Sequence, residues 1–367
     1  MREIAATWMR GGTSKCWVFR REDLQVPDLS VDEVLLRIYG SPDHRQVDGV
    51  GGGTSTTSKA VILAPSSRPD VDVEYTFAQV GIEEAKVDWG SNCGNCSAVV
   101  ASFAIREGWV PTASSETSVR VLNTNTDQLI LQHVPTPGGL LDEAASDTIP
   151  GVPFPGAPVR MGFVDPAGRS TGHLFPTGSP RDVLAEAGVG VTLVDAGAPV
   201  VAARAADFGV HGDEDIAELD RVPGLLERLD AVRREAGVLM GLAASPEAVA
   251  RAVPKLALVS EPTDLDGRET DLTVRMLSMG RFHPAVPVTG SVALTLAAGV
   301  AGTVVHDLAR TDRPTAGLRL GTPAGCVTTF AEEDDGVPVV GVLRTYRRLA
   351  QGSVVLPDPP LLPSVSA

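Results

Sequence analysis

Cys93-Gly94-Asn95-Cys96-Ser97-Ala98-Val99-Val100-Ala101-Ser102-Phe103-Ala104-Ile105 and, in the second half of the chain, Thr289-Gly290-Ser291-Val292-Ala293-Leu294-Thr295-Leu296-Ala297-Ala298 decide the fold. Each stretch opens with a small reactive side chain, then Gly, then a residue able to cap a helix. Each continues as a run of small apolar residues. They lie about one per half, and we read them as a weak internal repeat. Two like domains would each wrap a sheet around an apolar helix, with both helix N-termini facing one cleft. A helix N-terminus presents unpaired N–H groups and partial positive charge, so such a cleft attracts carboxylates. On pattern alone, two unrelated buried helices remain equally open.

The flanking segments supply the sheets. Cys16–Phe19, Val61–Leu63, Lys255–Ser260 and Leu272–Leu277 are short, β-branched or apolar runs that read as strands. Val71, Val73, Tyr75 and Phe77 alternate with polar neighbours, as in a half-buried strand. Thr117–Asn123 with Asp127–Val134 reads as a hairpin, and Val337–Arg344 as a late strand. Val31, Val34, Leu35 and Ile38 have helical spacing, and Asp213–Ala243 is the most helical region. Strands outnumber helices without strict alternation, which indicates an α+β class. We place the domain boundary near residue 180, giving domains 1–180 and 181–355, with the last strands free to return to the first domain. Residues 356–367 form a Pro-rich loose tail.

The chain has 367 residues, enough for two domains. Its formal charge of −15 disfavours nucleic acid and anionic membranes as partners. No apolar run reaches the roughly 18 residues of a membrane span, and no signal peptide is evident. Four cysteines make no disulfide framework, and a cytoplasmic location is expected.

Lysine is scarce: Lys15, Lys59, Lys86 and Lys255 stand among 31 basic residues. Arginine stays protonated, whereas a buried lysine can lose its proton and act as a base. Two of the four lie in the same tripeptide, Thr13-Ser14-Lys15 and Thr57-Ser58-Lys59. Lys59 ends a loop of glycines and hydroxyls, Gly51 to Ser58, that suits a carboxylate. No Gly directly precedes the lysine, so this is not a phosphate-binding P-loop. To serve as a base, Lys59 needs burial or a neighbouring cation such as Lys15. Cys93 directly precedes a helix, where a thiol can have a lowered pKa. With Cys96 it spells C-x-x-C, which leaves a redox pair or half a zinc site as alternatives. Arg10, Arg275 and Arg281 are able to clamp carboxylates bidentately.

Several strings, in order from residue 9 to about 300, resemble one family. Met9-Arg10-Gly11-Gly12-Thr13-Ser14-Lys15 resembles its opening motif. Gln46 through Lys59 resembles its glycine and hydroxyl loop. Asp88-Trp89-Gly90-Ser91-Asn92-Cys93-Gly94-Asn95 is similar to its G-N-C-G-N segment, and Leu174–Gly178 to L-F-P-T-G. Arg275 to Gly280, His283 and Thr289-Gly290 resemble the last motif. The family is the 2-methylaconitate cis–trans isomerase (PrpF) group, to which 4-oxalomesaconate tautomerase is related.

The resemblance implies a diaminopimelate epimerase-like fold, with two pseudo-symmetric domains. Each is a mostly antiparallel sheet around a central helix. It implies proton transfer on a small unsaturated di- or tricarboxylic acid through a dienolate, with no metal and no organic cofactor. Lys59 would abstract the proton, with Cys93 as its partner. Arg10, Thr13, Ser14, Lys15, Thr57 and Ser58 would bind substrate from one side. Asn92, Gly94 and Asn95 would do so at the first helix, and Arg275, Ser278, His283, Thr289, Gly290 and Ser291 from the second half. A small polycarboxylate is the expected partner, and a homodimer is allowed.

Departures from the family pattern fall at Cys16, at Cys96, in Asp195–Pro199 and in Pro284–Val288. They keep open a paralogue with a different substrate. Thr289 in place of a second thiol counts against an amino-acid epimerase. A carboxylate-binding or thiol-redox protein without isomerase activity is the remaining alternative.

Overall fold

The computed structural model describes residues 2–90, 93–264, 267, 269–310 and 317–358. Asn92 and the tail from residue 359 lie outside them. The chain forms two compact units. Unit 1 is Met1–Thr148 with Phe154–Met161 and Arg344–Ala367, and unit 2 is Ile149–Pro153 with Gly162–Leu343. The division falls at Met161 rather than near residue 180. One long strand, Val337–Leu356, leaves unit 2 and ends in unit 1.

Unit 1 contains β1 (Arg2–Gly11), β2 (Ser14–Arg20), α1 (Val31–Tyr39), β3 (Lys59–Pro65), β4 (Val73–Val80), β5 (Val87–Asp88), α2 (Gly94–Ser97), α3 (Val100–Arg106), β6 (Glu116–Asn123), β7 (Gln128–Pro135) and most of β8 (Ala157–Val164). β1–β2, β3–β4 and β6–β7 pair antiparallel, whereas β2–β3 and β4–β6 pair parallel.

Strand alternation sorts the side chains onto two faces. Ala60, Ile62, Ala78 and Val80 pack against Val34, Leu35 and Ile38 of α1. This helix begins with a Ser30–Glu33 capping box and ends at Gly40 in the left-handed region, φ 71°. Val61, Leu63, Tyr75 and Phe77 occupy the other face, where Cys96 through Ile105 are all buried. That is the central helix expected from the sequence.

The central helix is interrupted, which the sequence does not announce. The buried Gln132 of β7 accepts a hydrogen bond from the Ala101 N–H at 3.0 Å and donates to the Ser97 carbonyl at 2.8 Å. Its amide thus stands where an ordinary i to i−4 bond would close, and an inserted side chain breaks a helix ladder in this way. Gln132→Leu is expected to leave both backbone groups unpaired and to cost about 2 kcal/mol or more, read as a lowered denaturant midpoint. An unchanged midpoint would mean that the ladder closes directly.

Unit 2 contains β9 (Asp182–Leu184), β10 (Val189–Ala196), β11 (Ala198–Arg204), α4 (Ile216–Leu219), α5 (Leu225–Leu239), β12 (Lys255–Ser260), β13 (Leu272–Ser278), β14 (Arg281–Phe282), α6 (Val288–Ala298), α7 (Val304–Leu308), β15 (Arg319–Thr322), β16 (Gly325–Asp334) and the first part of β17 (Val337–Leu356). β10–β11, β12–β13 and β15–β16 pair antiparallel, whereas β11–β12 and β13–β15 pair parallel. This is the order of pairings β1–β2–β3–β4–β6–β7 repeated. The crossover helix α5 packs on Leu256 and Leu258, as α1 packs on β3. The central helix α6 is buried over most of its length. The weak repeat read from two apolar stretches is therefore a repeat of whole topology.

Candidate active site

Lys59 owes its position to a buried amide. Gln46 is 1% exposed, with φ 49°. Its side chain donates to Ser41 Oγ at 2.9 Å and Ser58 Oγ at 2.7 Å, and accepts from the Gly53 N–H at 2.9 Å. Gly51 abuts the same side chain so closely that a Cβ there would collide with it. The glycine-rich loop is thus wrapped around Gln46. Ser58, fully buried and donating to the Val80 carbonyl at 2.9 Å, belongs to that scaffold. Thr57 lies outside it, in a hydroxyl cluster with Thr54, Oγ1 to Oγ1 2.7 Å.

Lys59 follows as the first residue of β3, opposite Gln79 on β4 and one residue before Ala60, which lies level with Trp17 of β2. It therefore points to the central-helix face. Its Nζ donates to Gln79 Oε1 at 2.6 Å, and Gln79 Nε2 donates to the Ser58 carbonyl at 2.8 Å. The Phe77 ring lies 4.8 Å from the amine. The acceptor is a neutral amide, not a carboxylate. Gln79 was missed in the sequence. Its signal is a polar side chain on the apolar face of β4, in phase with Tyr75 and Phe77.

Cys93 caps the first helical turn, with Sγ accepting from the Cys96 N–H at 3.4 Å. The Tyr75 hydroxyl donates to the Cys93 carbonyl at 3.3 Å. Cys16, Cys93 and Cys96 carry thiols, not disulfides. The sequence left the protonation of Cys93 open. The thiol is pushed well up, first by its hydrogen bond to the Cys96 sulfur and then by burial, with the nearby Lys59 charge opposing. The hydrogen bond and burial both favour the neutral form. Cys93 is thus a protonated thiol at neutral pH.

The β1–β2 turn docks against this helical turn. Asn95 Nδ2 donates to Thr13 Oγ1 at 3.1 Å, and the Thr13 N–H donates to Asn95 Oδ1 at 3.4 Å. Gly11 faces the Asn95 carbonyl with no room for a Cβ, and Gly12 takes φ +51° beside the Asn95 side chain. The close approach explains the glycine pair. Ser14, buried, shares the face of Cys16, and hence of Lys59.

Arg10 and Lys15 are cross-strand partners on the opposite face of the sheet. Lys15 Nζ lies 5.3 Å from the Trp8 ring. Arg10 Nη1 donates to the Gly12 carbonyl at 2.9 Å and to Thr345 O and Oγ1 at 3.1 and 3.0 Å. Arg10 therefore braces the turn, and Lys15 does not stand beside Lys59 as the neighbouring cation. Counting alternation from Cys16 would have shown this.

In unit 2, Thr289 and Gly290 begin the buried helix α6, with Ser291 Oγ donating to the Val288 carbonyl at 2.7 Å. A Cβ on Gly290 would meet Met276 Sδ at 2.5 Å, with Lys255 Cδ at 3.8 Å. Met276 and Ser278 share this face. His283 lies just beyond, with Nδ1 accepting from the Ala285 N–H at 3.0 Å.

Arg275 points to the other face. It is 3% exposed, and its Nε, Nη1 and Nη2 donate to the carbonyls of Glu214, Val274 and Asp213 at 2.7, 3.1 and 2.6 Å. It is therefore an anchor for the 213–214 loop rather than a free clamp. Among the described residues, no three His, Cys, Asp or Glu side chains are grouped as metal ligands, and no helix is long and apolar enough to cross a membrane.

Residues 1–357 match the model of the PrpF protein family. A 2-methyl-aconitate isomerase of Shewanella oneidensis is 37% identical, over 97% of this chain and 98% of that protein. A 4-oxalomesaconate tautomerase of Pseudomonas putida is 40% identical, over 96% of each. The crystal structure of a methylitaconate-delta-isomerase superposes with a TM-score of 0.88 at 35% identity, covering 96% of this chain and 95% of that one. A hydroxyproline epimerase with bound trans-4-hydroxy-L-proline, 13% identical at a TM-score of 0.53, shares the fold. With its repeated sheet-and-helix units, the chain belongs to the PrpF family, has the diaminopimelate epimerase-like fold and is an isomerase.

Proposed function

We propose that the protein isomerises a small unsaturated di- or tricarboxylic acid by moving one proton along an allylic system. The observation that carries this reading is the pairing of two opposite proton-transfer groups. Lys59 is held by a neutral amide on the central-helix face. Cys93, at the head of the first central helix, has its thiol pushed up first by its hydrogen bond to Cys96 and then by burial, with the Lys59 charge opposing. The unprotonated Lys59 amine takes a proton from the carbon next to a carboxylate. The electron pair spreads into a dienolate, and the former double bond becomes free to rotate or migrate. The Cys93 thiol returns a proton to carbon, and the Lys59 ammonium reprotonates the thiolate. Polycarboxylates named in the relatives, 2-methylaconitate and 4-oxalomesaconate, have the required acidic allylic proton. Thr289 at the head of α6 offers no second thiol, which argues against two-thiol racemisation of an amino acid.

Proton NMR of the protein with 2-methylaconitate, cis- and trans-aconitate and 4-oxalomesaconate in D2O tests the reading. A new isomer, or deuterium entering an allylic or alpha position of at least one acid, is the expected result. No exchange in any of them would sink the polycarboxylate reading.

A further inference from the structure

The amine of Lys59 ends a chain of hydrogen bonds that runs through the interior of unit 1. It begins at Gln46, whose Nε2 donates to Ser58 Oγ at 2.7 Å. Ser58 is fully buried, and its hydroxyl donates to the Val80 carbonyl at 2.9 Å. The Ser58 carbonyl accepts twice from β4, from the Val80 N–H at 3.1 Å and from Gln79 Nε2 at 2.8 Å. The other end of that amide, Gln79 Oε1, accepts from Lys59 Nζ at 2.6 Å. Lys59 is also held through its backbone, because the Tyr39 hydroxyl on α1 donates to its carbonyl. The two partners of Gln79 allow one orientation of its amide. A carbonyl only accepts, and a lysine ammonium only donates. Turned over, the amide would set its NH2 against the ammonium and its oxygen against the Ser58 carbonyl, and both bonds would be lost. The Ser58 carbonyl thus keys the amide oxygen toward Lys59.

We propose that Gln79 is a positioning residue: keyed by the Ser58 carbonyl, its amide holds the Lys59 nitrogen oriented for proton abstraction, with an acceptor that carries no net charge. The inference rests on the reading of Lys59 as the base. Oε1 can accept an N–H from the nitrogen whether or not it is protonated. The lone pair of the free amine therefore points away from Gln79 and stays open to the carbon acid. Among the described residues of unit 1, Cys93 and Cys96 feel the lysine's charge, and Cys16, Tyr39 and Tyr75 interact with those thiols. Cys93 is pushed up first by its hydrogen bond to Cys96, while burial pushes up Cys96, Tyr39 and Tyr75, so these four are uncharged at neutral pH. A carboxylate at position 79 would add a charge that they do not supply, and would favour the ammonium over the free amine.

The test uses the full-length protein and the acid found active by NMR. Gln79→Glu keeps the size and the acceptor but adds a charge and cannot donate to Ser58. A rate that depends on a base rises with pH as the base loses its proton. In Gln79→Glu that rise is expected to move to higher pH by about one unit or more, with kcat recovering toward wild type above it. Gln79→Met keeps the volume and removes both bonds, and is expected to lower kcat by about ten- to a hundredfold with KM changed by less than about threefold. A merely structural role would lower the rate by the same factor at every pH. A Gln79→Glu profile that superposes on wild type, or that is lowered equally throughout, would overturn the proposal. So would an unchanged kcat in Gln79→Met. A second readout needs no substrate. The chain has four lysines, so with lysine isotope-labelled at Cε the NMR signal of Lys59 is identified by its loss in Lys59→Ala. Its titration midpoint is expected to lie higher in Gln79→Glu than in wild type, and an equal midpoint would sink the proposal. An active Lys59→Ala enzyme with that midpoint shift present marks failure of the base assignment. An inactive Lys59→Ala enzyme with no shift marks failure at Gln79.

Discussion

Lys59→Ala is expected to lower kcat by roughly 10²–10⁴-fold, the usual contribution of a positioned general base, with little change in thermal stability. The loss is catalytic because the lysine contributes little to packing. Its neighbours Ser58 and Gln79 remain tied to the Gln46 loop and to the β3 backbone. Lys59→Arg is expected to be as inactive as Lys59→Ala, since a guanidinium does not give up its proton. The measurement is steady-state kinetics on the acid found by NMR, alongside a melting curve. Activity retained within tenfold in Lys59→Ala would remove the lysine from the role of base.

Cys93→Ala is expected to lower kcat by about 10²–10³-fold, and Cys93→Ser to recover little, because a hydroxyl is a poorer proton donor than a thiol. The direction of the thiol's pKa shift makes a second, independent statement. The form needed is the protonated thiol. Hydrogen bonding to Cys96 and burial raise its pKa, so the required form persists through neutral pH and is lost only as pH rises through the raised value. The rate should therefore show no fall near the ordinary thiol pKa of about 8.5. Cys96→Ala removes the acceptor that raises it most, and should bring the alkaline fall to lower pH. A wild-type rate that already declines at ordinary thiol pKa would mean that Cys93 works as a thiolate.

Much of the fold is local in origin and could be read along the chain. Val31–Tyr39 forms a helix with the expected bounds, because its apolar spacing, capping box and closing glycine all agree. The two apolar helices were visible because they are buried on nearly every side, so Cys93–Ile105 and Thr289–Ala298 carry no charged residue. The β1 strand was less visible. Apolar Ile4, Ala6 and Trp8 share one face with the charged Arg10, so the ten-residue segment looks mixed. The return of β17 into unit 1 was equally hidden. Residues 347–353 are exposed, and pairing with β1 rather than apolar pattern makes them a strand.

For the site, the amino-acid sequence by itself determined the types and order of the key groups. A scarce lysine follows a glycine-rich loop, a cysteine heads an apolar helix, and a threonine stands at the matching head of the second. Only the tertiary structure decided which neighbours those groups meet. It turned Arg10, Lys15 and Arg275 to the faces away from the central helices, and paired Lys59 with Gln79. It raised the Cys93 thiol through its hydrogen bond to Cys96 and burial, and set Lys255 at the start of β12 as Lys59 stands at the start of β3. The physical reason is that residue chemistry is written locally. Face, hydrogen-bond partner and protonation state depend on strand register, fixed by contacts between segments far apart in sequence.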